Sequence, residues 1–215
     1  MRTRALLMLS STLLIAAPLA WAIPSPSLDD DAAATGSAPK APASAQDTAT
    51  YNDALALMKK GDELGSGDAA REAYGSARVK LQSLVGRSPQ LAEAWNALGY
   101  TQRKLGAYAD ALASYDHALE LRPGYPEALE YRGEAYLRLN RIADAKQTYL
   151  DLFASNRKIA AMLLDAMKEW LKAPQGSRAV DAGAVTDFRQ WVQERSQIAT
   201  QTAALTREGT AASWR

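Results

Sequence analysis

Between Ala92 and Pro123 the chain reads A-E-A-W-N-A-L-G-Y-T-Q-R-K-L-G-A-Y-A-D-A-L-A-S-Y-D-H-A-L-E-L-R-P, and the pattern returns 34 residues later between Pro126 and Arg157. A period of 34 is that of a helix-turn-helix unit, which buries its apolar face only by stacking on its neighbours. Function in such a chain is sought on a surface rather than in a catalytic pocket. Gly99 and Ala111 are small where the two helices of one hairpin must approach, and Trp95, Leu98, Tyr115 and Leu119 are large around that contact. Small against large predicts interdigitation. Gly106 falls where the first helix must stop, since glycine accepts the positive φ of a helix C-terminus, and Pro123 ends the second helix because it has no N–H.

Trp95, Leu98, Gly99, Gly106, Tyr108, Ala111, Tyr115, Ala118, Leu119 and Pro123 together resemble the tetratricopeptide repeat (TPR) pattern. The second unit repeats it with Gly133, Tyr136, Ala145 and Tyr149. It departs where Leu129 replaces the Trp, Arg132 the Leu beside the glycine and Arg157 the closing Pro, which suggests the last full repeat. The resemblance implies an all-α fold, a short right-handed α-solenoid of helix-turn-helix hairpins with a C-terminal capping helix and a further C-terminal helix.

The flanks are read in the same terms. Residues 51–64 place Tyr51, Ala54, Leu55, Met58 and Leu64 on one stripe, and Gly65-Ser66-Gly67 breaks it. Asp68 then caps a helix to about Gly86, with Ala77, Leu81, Leu84 and Pro89 spaced like Ala111, Tyr115, Ala118 and Pro123. Residues 51–91 are therefore predicted as a degenerate repeat with an enlarged turn and a longer second helix, followed by full repeats over 92–125 and 126–159. Over 157–172, Ile159, Met162, Leu163, Ala166, Met167, Trp170 and Leu171 share the apolar face of the capping helix, opposite Lys158, Asp165, Lys168 and Glu169. Ala173-Pro174-Gln175-Gly176 ends the TPR domain, which is predicted over 51–173. In the C-terminal region, 174–215, a weaker helix over about 184–205 carries Val185, Phe188, Trp191, Val192 and Ile198. That helix folds back on the cap or offers a second contact surface, and the tail beyond Arg207 is expected to fray apart from Trp214.

At the other end, Arg2 and Arg4, a short apolar run and the ending Ala20-Trp21-Ala22 are the three parts of a secretory signal peptide over 1–22. Export across the inner membrane to the periplasm follows as the expectation, with membrane contact only if this segment stays uncleaved. Residues 23–50 are rich in Pro, Ala, Ser and Asp and poor in large apolar groups, so they are expected to be a disordered linker. Asp29, Asp30 and Asp31 within them read as a solvated run rather than a cation site. The chain has no cysteine, which excludes a disulfide framework, thiolate chemistry and lipid modification at a cleavage-site Cys. Removing Arg2 and Arg4 from the 25 basic residues leaves 23 against 24 acidic ones. That near-neutral balance argues against nucleic acid and anionic membranes as partners.

Catalytic groups are not assembled in the pattern. His117 is the single histidine and lies on the second helix of the best repeat, no nucleophile has a base at hand, and no cluster has the ligands of a metal site. Acid pairs such as Asp62-Glu63 read as solvated helix faces. No cofactor is implied. TPR proteins build a concave face from the first helix of each hairpin, and the resemblance carries that face onto Glu93, Asn96, Ala97, Tyr100, Arg103 and Lys104 in one repeat. In the next it falls on Glu127, Glu130, Tyr131, Glu134 and Arg138. Tyr, Asn, Arg and Glu make a wall suited to a peptide or protein partner. The terminal-carboxylate clamp of one TPR subclass is broken here, its positions holding Asn96, Tyr100, Tyr131, Ala161 and Asp165. The implied function is a non-catalytic adaptor or assembly factor of the cell envelope. A membrane-anchored accessory subunit and an envelope enzyme with an unrecognised site are the two other readings.

Overall fold

The computed structural model describes residues 44–172 and 180–212. Among these residues there are eight helices and no strand: α1 (Ala45–Leu64), α2 (Asp68–Arg87), α3 (Ala92–Lys104), α4 (Tyr108–Leu121), α5 (Pro126–Arg138), α6 (Ile142–Ser155), α7 (Arg157–Lys172) and α8 (Ala182–Ala212). Each helix packs on the next in sequence, and α1, α3, α5 and α7 also touch one after another. The first helices of successive hairpins thus make one continuous face. Residues 1–22, read from sequence as a signal peptide, residues 23–43 of the expected linker, the expected turn at Ala173–Gly176 and Trp214 lie outside the described residues.

The hairpins share one turn. Three residues separate α1 from α2, α3 from α4 and α5 from α6, and the chain reverses at Gly65, Gly106 and Asn140, all with positive φ. Asn140 stands 34 residues after Gly106, and asparagine is among the few side chains that tolerate this region. The predicted enlargement of the first turn is therefore wrong. The extra length sits in the helices, 20 residues each in α1 and α2 against 13 in α3 and 14 in α4.

Close approach is made by glycine under a ring. A Cβ added to Gly99 would lie 2.5 Å from Tyr115 Cε1, and one added to Gly61 2.7 Å from Tyr74 Cζ. Tyr115 is fully buried with Ala111, Leu112 and Ala135 around it. At Gly133 the occupant differs, since the Leu163 side chain of α7 fills the hollow. The last helix pair therefore packs into the second repeat by a contact between hairpins.

Helix α1 starts at Ala45, six residues before the expected Tyr51, so the linker reading of 45–50 is corrected. Ser44 caps it by accepting from the Asp47 backbone N–H. Asp47 in turn is buried against the end of α2, accepting from Ser88 Oγ at 2.8 Å and Arg87 Nε at 3.1 Å. The Ser88 and Ser44 hydroxyls, with Arg87, outweigh burial and hold its carboxyl below the usual range. These polar ties stand where the apolar pattern is too weak to announce a helix.

At the other end α7 and α8 close the stack. Leu163, Met167 and Trp170 of α7 and Val185, Phe188 and Val192 of α8 share one core with Leu137, Tyr149 and Leu152. The Trp170 indole donates to the Leu137 carbonyl at 2.7 Å, satisfying its buried N–H. Of the two alternatives for the last helix, its first half folds back. Met162 departs from the predicted packing face of α7: it is 48 % exposed, and Ala160 and Leu164 are buried instead.

Candidate functional site

The face made by α1, α3, α5 and α7 is a groove with two hollows. The larger, about 580 Å³, is lined by Tyr100, Arg103, Lys104, Tyr108, Glu130, Tyr131, Glu134, Arg138, Met162 and Gly65. The smaller, about 330 Å³, is lined by Tyr51, Leu55, Met58, Lys59, Asp62, Asn96, Ala97, Tyr100 and Tyr131. Seven of the eleven positions carried over by the resemblance, Tyr100, Arg103, Lys104, Glu130, Tyr131, Glu134 and Arg138, line the first hollow, and Asn96 and Ala97 line the second. The apolar stripe of α1 contributes Tyr51, Leu55 and Met58, which no other described helix fully covers.

Helical spacing explains the convergence. Tyr100 and Arg103 are three apart on α3, and Tyr131 and Glu134 three apart on α5, so each pair shares a face. Arg103 donates to Glu134 across the two helices. Its guanidinium lies 5.2 Å from the Tyr100 ring centre and 5.3 Å from that of Tyr131. Burial works against the Arg103 charge, but Glu134 and the nearby Tyr115 hydroxyl outweigh it and hold the proton firmly. The two tyrosine rings meet edge to face with centres 5.2 Å apart.

Asp62 organises the opposite wall. Its Oδ1 accepts from Tyr100 at 2.5 Å and from Tyr74 at 2.6 Å, and lies 3.1 Å from Lys104 Nζ. Burial raises the carboxyl, but these three donors prevail and its pKa is lowered. Burial and the Asp62 carboxylate push the Tyr100 hydroxyl well above its ordinary range. Asp62 stays exposed, as expected of a solvated helix face, but its carboxylate is engaged by three donors. Its partners are 12 and 38 residues away, and no local pattern signals them. Glu63 beside it is solvated, paired only at 3.7 Å with Lys59.

Glu130 is 3 % exposed. Burial and the adjoining Glu134 carboxyl push it up to about 8, against a smaller opposing pull from Arg103, so it carries a proton at neutral pH. Asn96, 8 % exposed, donates from Nδ2 to the Tyr125 hydroxyl at 3.3 Å, and its Oδ1 is buried with no partner. Arg138 is exposed on the rim, Glu93 accepts from Arg122 at 2.5 Å, and Glu127 is exposed. His117 is outside the groove, its ring 4.7 Å from that of Trp95 and its Nδ1 3.1 Å from Glu120 Oε2. Among the described residues no three His, Cys, Asp or Glu side chains are grouped to hold a metal ion, and no helix is long and apolar enough to cross a membrane.

The tetratricopeptide repeat model matches residues 92–125, the α3–α4 hairpin and the turn that follows. The chain carries a tetratricopeptide repeat over these residues. Over 124 residues the chain is 31 % identical to the chloroplastic tetratricopeptide repeat domain-containing protein PYG7 of Arabidopsis thaliana, covering 55 % of this chain and 41 % of that one. It thus spans about two-fifths of the relative's length. Among solved structures, the first TPR of Spaghetti (RPAP3), bound to the HSP90 peptide SRMEEVD, superposes with a TM-score of 0.42 at 20 % identity. That match covers 55 % of this chain and 94 % of the other.

Proposed function

We propose that this chain is an adaptor or assembly factor without catalytic chemistry of its own, and that it holds a peptide or protein segment in the groove of α1, α3, α5 and α7. The observation that carries this reading is the Tyr100–Arg103–Tyr131–Glu134 cluster, in which two rings and an ion pair are presented on an open face. Aromatic and arginine side chains in such a setting carry most of an interface's energy, about 2 kcal/mol or more each when truncated. They are also held in place before any partner arrives, by Asp62 on one side and Glu134 on the other, which lowers the ordering cost of binding. The place of action we propose is the cell envelope after export, supported by the charged start, apolar run and Ala-Trp-Ala ending of residues 1–22.

The test is capture from an envelope extract with the chain beginning at Ile23 as bait. Tyr100→Ala with Arg103→Ala loses the partner and keeps the helical circular dichroism signal, while His117→Ala keeps both. Capture by the double variant at the wild-type level refutes the groove. N-terminal sequencing of the protein from the envelope gives Ile23 first, and a retained Met1 refutes cleavage.

A further inference from the structure

The cations at the floor of the larger hollow are already engaged. Arg103 is paired to Glu134 and Lys104 to Asp62. Arg138 stands exposed on the rim, eight residues and about two turns along α5 from Glu130. Two carboxyl groups, Glu130 and Glu134, therefore share one guanidinium. Glu130 is nearly as buried as a core leucine and still borders the hollow, whose walls include Tyr108, Tyr131 and the exposed thioether of Met162. A buried carboxyl with no cation of its own is a costly group to ionise.

We infer that this hollow receives a cationic side chain of the bound segment, an arginine or a lysine, whose head group pairs with Glu130 while its aliphatic stem lies against Tyr131 and Met162. The inference rests on the groove being the binding face. Charge complementarity selects this occupant: an acidic side chain would meet the two carboxyls at the floor, and an apolar one would leave Glu130 with no cation beyond the Arg103 already paired to Glu134. The walls suit it too, since tyrosine rings and a polarisable thioether accept both a methylene stem and a cationic head.

Proton linkage is the consequence. The charged and titratable groups around Glu130 are Arg103, Tyr100 and Lys104 on α3, Tyr108 on α4, and Glu127, Tyr131, Glu134 and Arg138 on α5, while α7 presents Met162. In the empty groove Glu130 holds a proton at neutral pH. A partner cation takes that proton's place, so binding releases it.

The experiment uses the chain beginning at Ile23 and four capped nonapeptides of alanine and serine. They differ only at the central residue, which is Arg, Lys, Gln or Glu, and binding is followed by amide shifts in proton–nitrogen correlation spectra. At pH 9 the Arg and Lys peptides shift the amides of Glu130, Tyr131 and Glu134 and bind at least tenfold tighter than the Gln peptide. Their affinity falls by roughly tenfold per pH unit below about 8, where Glu130 regains its proton. E130Q removes that pH dependence and weakens the Arg peptide at least tenfold at pH 9. Should E130Q fold poorly, the wild-type pH profile and the peptide ranking decide alone. A Glu peptide that binds as well as the Arg peptide, a flat pH profile, or no binding by any of the four overturns the inference. These outcomes leave partner capture through Tyr100 and Arg103 standing, whereas capture that ignores those two residues removes the groove itself.

Discussion

The α1–α2 hairpin and the α3–α4 hairpin are the same device at two lengths. Counted from the turn, Ala70, Tyr74 and Ala77 precede Ala111, Tyr115 and Ala118 by 41 residues; counted from the helix end, Ala77, Leu81 and Leu84 precede the same three by 34. Both alignments hold because seven residues are about two helical turns, so an insertion of that size keeps the buried face in register. All five of the first hairpin's positions are buried. The two additional turns carry Asp62 and Tyr74 out to Tyr100 and Lys104, and bring Gly65 to the edge of the larger hollow. The shorter hairpin fixes its helices by shape, with Tyr115 over Gly99. The longer one adds a polar clamp that reaches its neighbour.

Cutting the first hairpin to the length of the second is the severest test of that comparison. Deleting residues 58–64 and 68–74 leaves the Gly65–Gly67 turn and the faces in register, so the chain still folds. Loss of Tyr74 from its buried site costs about 3 to 5 kcal/mol, on the scale of large-to-small core changes. Thermal unfolding checks this, and a chain that no longer folds shows that the added turns are more than an extension.

Glycines in the two hairpins separate next. Gly99→Ala presses a methyl group onto the buried Tyr115 ring and lowers stability by about 1 to 2 kcal/mol, overpacking exceeding the gain in helix propensity. Gly75 in α2 has nothing within 4 Å of an added Cβ, so Gly75→Ala raises stability by about 0.5 to 1 kcal/mol. Denaturant midpoints of the pair read opposite signs.

The smallest effect lies on the acid limb. With its carboxyl held below the ordinary value by Tyr100, Tyr74 and Lys104 against the pull of burial, Asp62 adds stability that is complete above about pH 4, its unfolded range, and is lost as pH falls through the lower folded value. Asp62→Asn flattens that limb and leaves neutral-pH helicity unchanged. An acid limb identical to wild type contradicts the clamp.

The 34-residue period was legible because Gly99, Ala111, Tyr115 and their counterparts lie on fixed faces of helices of nearly equal length. The first hairpin was only half legible: its helix ends matched, but the two added turns displaced Tyr74 from the period and made Gly65–Gly67 read as an enlarged turn. The groove positions Tyr100, Arg103, Tyr131 and Glu134 followed from the resemblance, since the face of a helix is set by spacing alone. Asp62 did not, because its role depends on α1 lying beside α3. Nor did the burial of Glu130, which arises only when α5 packs between α3 and α7. Met162 shows the converse, an apolar stripe on α7 wider than the surface its neighbours cover.

The central claim is that partners bind along the concave face. A photoreactive phenylalanine placed at position 131, between the two hollows, and in a second variant at position 150, an exposed site on α6 outside both, tests it most directly. On irradiation in an envelope extract, a partner crosslinks from position 131 and none from position 150. Crosslinks from position 150 with none from position 131 contradict the account.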